Sequence, residues 1–231
     1  MRQEKIANSA PKRRLLDAAE QLFSERGFEA VSVRDITRLA NANVAAVNYH
    51  FGSREELVEL VLARHLTPVN EERLARLETA EKKWSGKAPP LEEVIDAYVR
   101  PLAGAVRKSE LPESACRKLL GRIFALRGDG FPPELEEGME NLGQRFTRAL
   151  AKCLPPVPPE ELAWRLHFMN GGLIHLLLRQ ELLQRADYGA SGAPTMEAAL
   201  GRFIRFAAAG LREGCELETP AKKGPQATFD F

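Results

Sequence analysis

Two neighbouring side chains, Asn48 and Tyr49, carry chemistry suited to a partner that is negatively charged outside and readable inside. A carboxamide holds a donor beside an acceptor and can pair with a base edge, and a phenol hydroxyl can donate to a phosphate oxygen. Both lie in the run Ser-Val-Arg-Asp-Ile-Thr-Arg-Leu-Ala-Asn-Ala-Asn-Val-Ala-Ala-Val-Asn-Tyr-His-Phe at 32–51. Its spacing predicts two short helices joined by a tight turn, a helix-turn-helix. In the second helix Val47 and Phe51 are four residues apart and share the buried face, which turns Ala45 and Tyr49 outward and puts Ala46 and Asn48 on the flanks. The small side chains at 45 and 46 let this helix approach a surface closely.

The elements that must position those residues are written locally. Ser32 can accept from the Asp35 amide while the Asp35 carboxylate reaches back, a capping box, and Val31 and Ile36 fall where a hydrophobic staple sits. Val33, Ile36, Leu39 and Ala40 form the apolar stripe of the first short helix, with Thr37 and Arg38 expected on its outward face. Asn41 follows at the position of a left-handed cap, and the second helix begins from Asn43. An earlier helix is expected over 11–26, with Leu15, Leu16, Ala19, Leu22 and Phe23 as its stripe and Gly27 as its stop. Lys12, Arg13 and Arg14 stand at its start, either within reach of phosphates or as a solvated charge run. From Met1 to Arg54 there are nine Lys or Arg against six acids, a local basic excess within a chain of net charge +1. A specific reader needs only such a local footprint.

With 44% hydrophobic and 28% charged residues, disorder and collagen are excluded. The longest apolar stretches, such as 173–178, are too short to span a bilayer, and no signal peptide opens the chain. A cytoplasmic location without membrane contact is expected. Cys116, Cys153 and Cys215 are far apart and outside any CxxC spacing, so neither disulfides nor a zinc site is implied. No nucleophile motif, phosphate-cradling loop or metal-spaced cluster is present, so no catalytic residue, metal or cofactor is expected.

Beyond 51 the chain reads as all-α. Ser53 to Glu56 gives a second capping box before a helix with Leu57, Leu60, Val61 and Leu62, followed by Glu-rich sequence to Trp84 and a loop at 86–90. Further helices are expected over 91–108, with Pro101 as a kink, and over 113–127, 134–154, 160–185 and 195–213. The expected class is therefore an N-terminal three-helix helix-turn-helix domain (1–53), a helical body of about six helices (54–215) and a flexible tail (216–231).

The segment 12–62, above all Asn48-Tyr49-His50-Phe51-Gly52-Ser53-Arg54-Glu55, resembles the DNA-binding domain of the TetR family of one-component transcriptional regulators. The sequence departs from the commonest family pattern at Asn41, where Gly is usual, and at Asn48, where an aromatic is usual. The resemblance implies that Arg34, Asn43, Val44, Ala45, Ala46 and Asn48 lie near base edges and that Tyr49, His50 and Arg54 grip phosphates. The residues themselves support Arg34, Asn48 and Tyr49; His50 is about 60° from the buried Val47, which leaves a structural role open. The Ala-Ala-Val-Asn-Tyr-His-Phe-Gly-Ser run with Pro-Pro-Glu-Glu-Leu-Ala-Trp-Arg-Leu-His-Phe-Met at 158–169 is similar to the branch that includes the fatty-acid-responsive PsrA type.

The implied function is a homodimeric repressor of an inverted-repeat operator on double-stranded DNA, released by a small apolar, acyl-type effector. A two-fold dimer presents its reading helices to half-sites about 34 Å apart. Leu166, Leu173, Leu177, Phe203, Ile204, Ala207 and Leu211 are the material for a four-helix seam between copies, or else fill one chain's core. Tyr98, Phe124, Phe146, His167, Met169, Asn170 and His175 are candidates for the ligand pocket; His167 and His175, eight apart without a third ligand, do not suggest a metal. An architectural DNA-binding protein without an effector is the alternative. The closing Gln226, Phe229 and Phe231 resemble the short clamp-binding peptide of bacterial replication and repair proteins, or else belong to a solvated tail or one that packs on its own body.

Overall fold

A computed structural model describes residues 10–126, 131–182 and 195–213. Within them the chain forms nine helices and no strand. They are α1 (Ala10–Arg26), α2 (Val33–Leu39), α3 (Val44–Phe51), α4 (Arg54–Lys83), α5 (Leu91–Lys108), α6 (Glu113–Ala125), α7 (Pro133–Cys153), α8 (Pro159–Arg179) and α9 (Met196–Arg212). The expected all-α class, helix-turn-helix first and helical body after it, is the observed one. The tail residues Gln226, Phe229 and Phe231, with Cys215 and the predicted end of the 160–185 helix, lie outside the described residues.

The first three helices start and stop where their own sequence says. Ser32 caps α2 in a complete capping box, its hydroxyl accepting from the Asp35 amide while Asp35 accepts from the Ser32 amide at 3.1 Å. Asn41 takes φ 49°, the left-handed turn between α2 and α3 that Asn tolerates better than other side chains with a Cβ. Leu15, Phe23, Ile36, Val47 and Leu57 meet in the small core between α1, α2, α3 and the start of α4.

α4 leaves this unit and becomes the spine of the body, running 30 residues straight through Pro68. The buried face of its later turns, Leu66, Val69, Leu77 and Ala80, packs on α5, whose Leu91, Val94, Ile95, Val99 and Leu102 form the opposing stripe. α5 in turn touches α7 and α9, and α8 packs on α9. α6 lies between α1 and α8. Gly121 allows that second contact: a Cβ there would stand 2.8 Å from Leu178 and 2.9 Å from Leu177.

Arginines tie the layers at helix ends, where carbonyls have no partner within their own helix. Arg122 of α6 donates to the Ser24 and Glu25 carbonyls ending α1, at 3.1 and 3.0 Å. Arg117 of α6 donates to the Leu177 carbonyl near the end of α8 at 2.6 Å, and Arg165 of α8 to the Leu211 carbonyl near the end of α9 at 2.8 Å. Among the described residues no helix is long and apolar enough to cross a membrane.

Candidate nucleic-acid interface and effector core

α3 presents the candidate interface. Asn43 caps it, its Oδ1 accepting from the Ala46 amide at 2.8 Å, so this side chain's acceptor is engaged at the helix start. Val47 and Phe51 are buried, and the opposite face holds Val44, Ala45, Asn48 and Tyr49, all exposed, with Tyr49 at 78%. Ala46 is half-buried. His50 is half-buried beside it, its ring edge-on to Tyr49 at 5.0 Å, and its buried Nδ1 has no hydrogen-bond partner among the described residues. Arg34 is exposed on α2. Arg38 is exposed as well, although one of its nitrogens lies 2.5 Å from the Asp35 carboxylate. Hydrogen bonds from the Ser32 hydroxyl and amide, helped by Arg38 and Arg26, hold the Asp35 carboxyl below its ordinary range.

Two expected contacts are corrected. Thr37 is buried, not outward, and its hydroxyl donates to the Arg34 carbonyl at 3.2 Å; satisfying its one polar group inside its own helix lets it pack as an apolar residue. Arg54 turns inward, its Nε donating to the Val31 carbonyl at 3.2 Å and its Nη2 to the Phe28 carbonyl, so it fastens the loop between α1 and α2. At the start of α1, Arg13 is held by Glu110 at 2.6 and 2.7 Å, Lys12 stands 5.4 Å from the centre of the Phe51 ring, and Arg14 is exposed.

In the body, four of the residues expected to line a pocket converge. The Tyr98 hydroxyl donates to Asn170 Oδ1 at 3.2 Å, and the Tyr98 ring meets Phe146 edge-on at 5.1 Å. Phe124 joins them through a residue that the sequence reading passed over, Arg73, whose guanidinium lies 4.1 Å from the Tyr98 ring centre and 4.9 Å from that of Phe124. Met169 is buried on α8, one residue from Asn170. A signal for Arg73 was present: it stands on the α4 stripe at helical spacing from Leu66, Val69, Leu77 and Ala80.

His167 and His175 do not belong to this core. Both are exposed on the outer side of α8, because the inward side of that helix is taken by Leu162, Met169, Leu173 and Leu177. His167 instead joins Trp164 and Phe168, whose rings stack at 5.8 Å, in a surface aromatic patch. His175 lines an open groove of about 410 Å³ between α8 and α9, with Gly172, Arg202, Phe203 and Phe206. The expected seam is likewise corrected in part: Leu173, Leu177, Ile204, Ala207 and Leu211 are buried against the chain's own helices, Leu166 is half-buried, and Phe203 alone of the seven lines the groove. Cys116 and Cys153 are free thiols, both with pKa pushed up by burial, which disfavours the thiolate.

A two-helix reader with an exposed helix face, joined through α4 to a helical body, defines a helix-turn-helix transcriptional regulator. Residues 15–61 match "Bacterial regulatory proteins, tetR family", and residues 96–210 match "Tetracyclin repressor-like, C-terminal domain". The chain belongs to the TetR family, a family of transcriptional regulators and not of enzymes. It is similar to the HTH-type transcriptional repressor Rv3405c of Mycobacterium tuberculosis, 38% identical over 92 residues, which are 40% of this chain and 44% of that one. The HTH-type transcriptional repressor KstR2 of Rhodococcus jostii is 44% identical over 48 residues, 21% of this chain and 24% of that one. The chain thus spans less than half the length of the curated relatives it matches. Among solved structures, a tetR-family regulatory protein from Rhodococcus RHA1 shares the fold with TM-score 0.55 at 14% identity, over 89% of this chain and 98% of that one. A putative tetR-family regulator from Shewanella sp. PV-4 gives 0.53 at 13%, over 87% and 97%.

Proposed function

We propose that the chain is a homodimeric repressor that leaves an inverted-repeat operator when a small apolar molecule, of which an acyl chain is the first to test, occupies its body. The observation that carries the DNA half is the sidedness of α3. Val47 and Phe51 anchor it from behind, and the small side chains at 45 and 46 bring its front close enough for Asn48 and Tyr49 to act. Asn48 reads a base edge and Tyr49 holds a phosphate. Arg34, with Arg38 and His50 in support, adds to the grip. Residues 1–53 are the reader, 54–215 the effector and dimer domain, and 216–231 a tail.

Dimerisation uses the exposed face of α8 and α9. Trp164, Phe168 and Phe206 are 54%, 67% and 75% exposed, an apolar surface that a second copy covers by two-fold symmetry. The KstR2 and Rv3405c relatives are named as repressors, which supports repression over activation. Selection of bound duplexes from a random pool, at stated salt, tests the reading: an inverted repeat is expected, and recovery of no motif overturns it.

A further inference from the structure

We propose that Arg73 is the anchor for a carboxylate on the effector, so that the body takes an apolar molecule ending in a single negative charge. The proposal rests on the reading that the body binds an effector at all.

Arg73 is fully buried at the centre of the body, 0% exposed. Its Nε donates to the Tyr98 carbonyl at 2.7 Å and its Nη1 to Asn70 Oδ1 at 3.1 Å, while its Nη2 has no hydrogen-bond partner among the described residues. The fold treats its other buried arginines differently. Arg165 holds Glu161 at 2.7 Å and Arg117 stands 3.8 Å from Glu181, each with a helix-end carbonyl besides. Arg73 makes no ion pair among the described residues; besides its two neutral acceptors, the Tyr98 carbonyl and Asn70 Oδ1, its charge meets the faces of the Tyr98 and Phe124 rings. A second donor beside it is also underused: the Asn70 amide nitrogen, one turn earlier on α4, has among the described residues only the Met139 sulfur at 3.2 Å, a weak acceptor.

This pattern selects the ligand. An unpaired cation away from water calls for one compensating charge, and a guanidinium edge matches the two oxygens of a carboxylate. A phosphate dianion would exchange one uncompensated charge for another. The surroundings, Phe124, Phe146, Met139 and Met169, are apolar, and the two methionines can re-pack around an entering chain.

The test compares dodecanoate, hexadecanoate and 2-naphthoate with their methyl esters on the full chain, by thermal shift and calorimetry. At least one acid is expected to bind tenfold or more tightly than its ester, and Arg73→Met to erase that preference while Arg73→Lys keeps part of it. Circular dichroism and DNA affinity control for folding. Asn70→Asp supplies a carboxylate from within: it is expected to raise the melting temperature without ligand and to abolish acid binding, a readout that survives if Arg73→Met folds poorly. Esters that bind as tightly as acids, acid affinity unchanged in Arg73→Met, or a lowered melting temperature in Asn70→Asp would each overturn the anchor and leave the effector reading standing. Silence from all six probes counts against both.

Discussion

Truncating Phe206 to alanine should break the proposed dimer without harming the protomer. Phe206 is 75% exposed on α9, and a phenylalanine offers about 150–250 Å² of surface, so roughly 150 Å² stands open. If a partner covers half of that, about 75 Å² at ~25 cal/mol/Å² comes to about 2 kcal/mol. Two-fold symmetry applies the loss in both copies, about 4 kcal/mol in all, which is roughly a thousandfold in the dimer dissociation constant. Sedimentation equilibrium over a dilution series reads that constant, and thermal unfolding of the dilute protein checks that the protomer is intact. Ile204→Ala on the same helix should behave oppositely. Ile204 is buried, so its truncation leaves a cavity and costs about 2–5 kcal/mol of protomer stability. A Phe206→Ala dimer as tight as the parent would refute the assignment of this face.

Three further outcomes are expected. Asn48→Ala should change the preferred bases in a duplex selection, whereas Tyr49→Phe should weaken binding to all sites alike; an unaltered preference in Asn48→Ala would remove its reading role. Gly121→Ala should destabilise the protein by about 1–3 kcal/mol in urea, because α6 must retreat from Leu177 and Leu178. Glu81→Gln should lower stability at neutral pH, since hydrogen bonds from Arg145 hold the Glu81 carboxyl below its ordinary value of 4.5. A depressed carboxylate stabilises fully above its unfolded pKa and loses that contribution as pH falls through the folded one. The gap between the parent and Glu81→Gln curves should therefore narrow progressively as pH falls below 4.5, and a gap that stays constant through acid pH would show that the pair does not act through charge.

The reader was legible because its signals are short-range. The capping box at Ser32 and Asp35, the left-handed Asn41 and the Val47–Phe51 spacing each act within one or two turns. Thr37 misled because a hydroxyl that bonds its own backbone reads as polar in sequence and packs as apolar in the structure. Arg54 misled because its acceptors, 23 and 26 residues earlier, exist only once α1 and α2 are assembled. In the body the helices were legible and their facing was not. α8 is apolar on more than one side, so Leu173 and Phe168 look equivalent until α6 and α9 claim the first and leave the second open. Arg73 was hidden by convention, since a charged letter within an apolar stripe is taken for a solvated one.

The arginine ties give this protein a physical route from body to reader. Carbonyls in the last turn of a helix lack an internal partner, so a guanidinium bonded to them fixes where that helix ends and how it is aimed. α6 carries two such groups: Arg117 grips the end of α8 through Leu177, and Arg122 grips the end of α1 through Ser24 and Glu25. Gly121 lies between them at the closest approach to α8, where no side chain cushions the contact. Phe124, one turn along the same helix, covers one side of the Arg73 guanidinium. A molecule that takes up room at Arg73 must therefore displace Phe124 or the rings opposite it, and displacement of α6 reaches α1 through Arg122. α1 packs against both α2 and α3, so its tilt sets the angle at which α3 is offered. In the proposed dimer, two readers would need that angle matched to the half-site spacing of an inverted repeat, so a small rotation of α1 would be enough to decide binding.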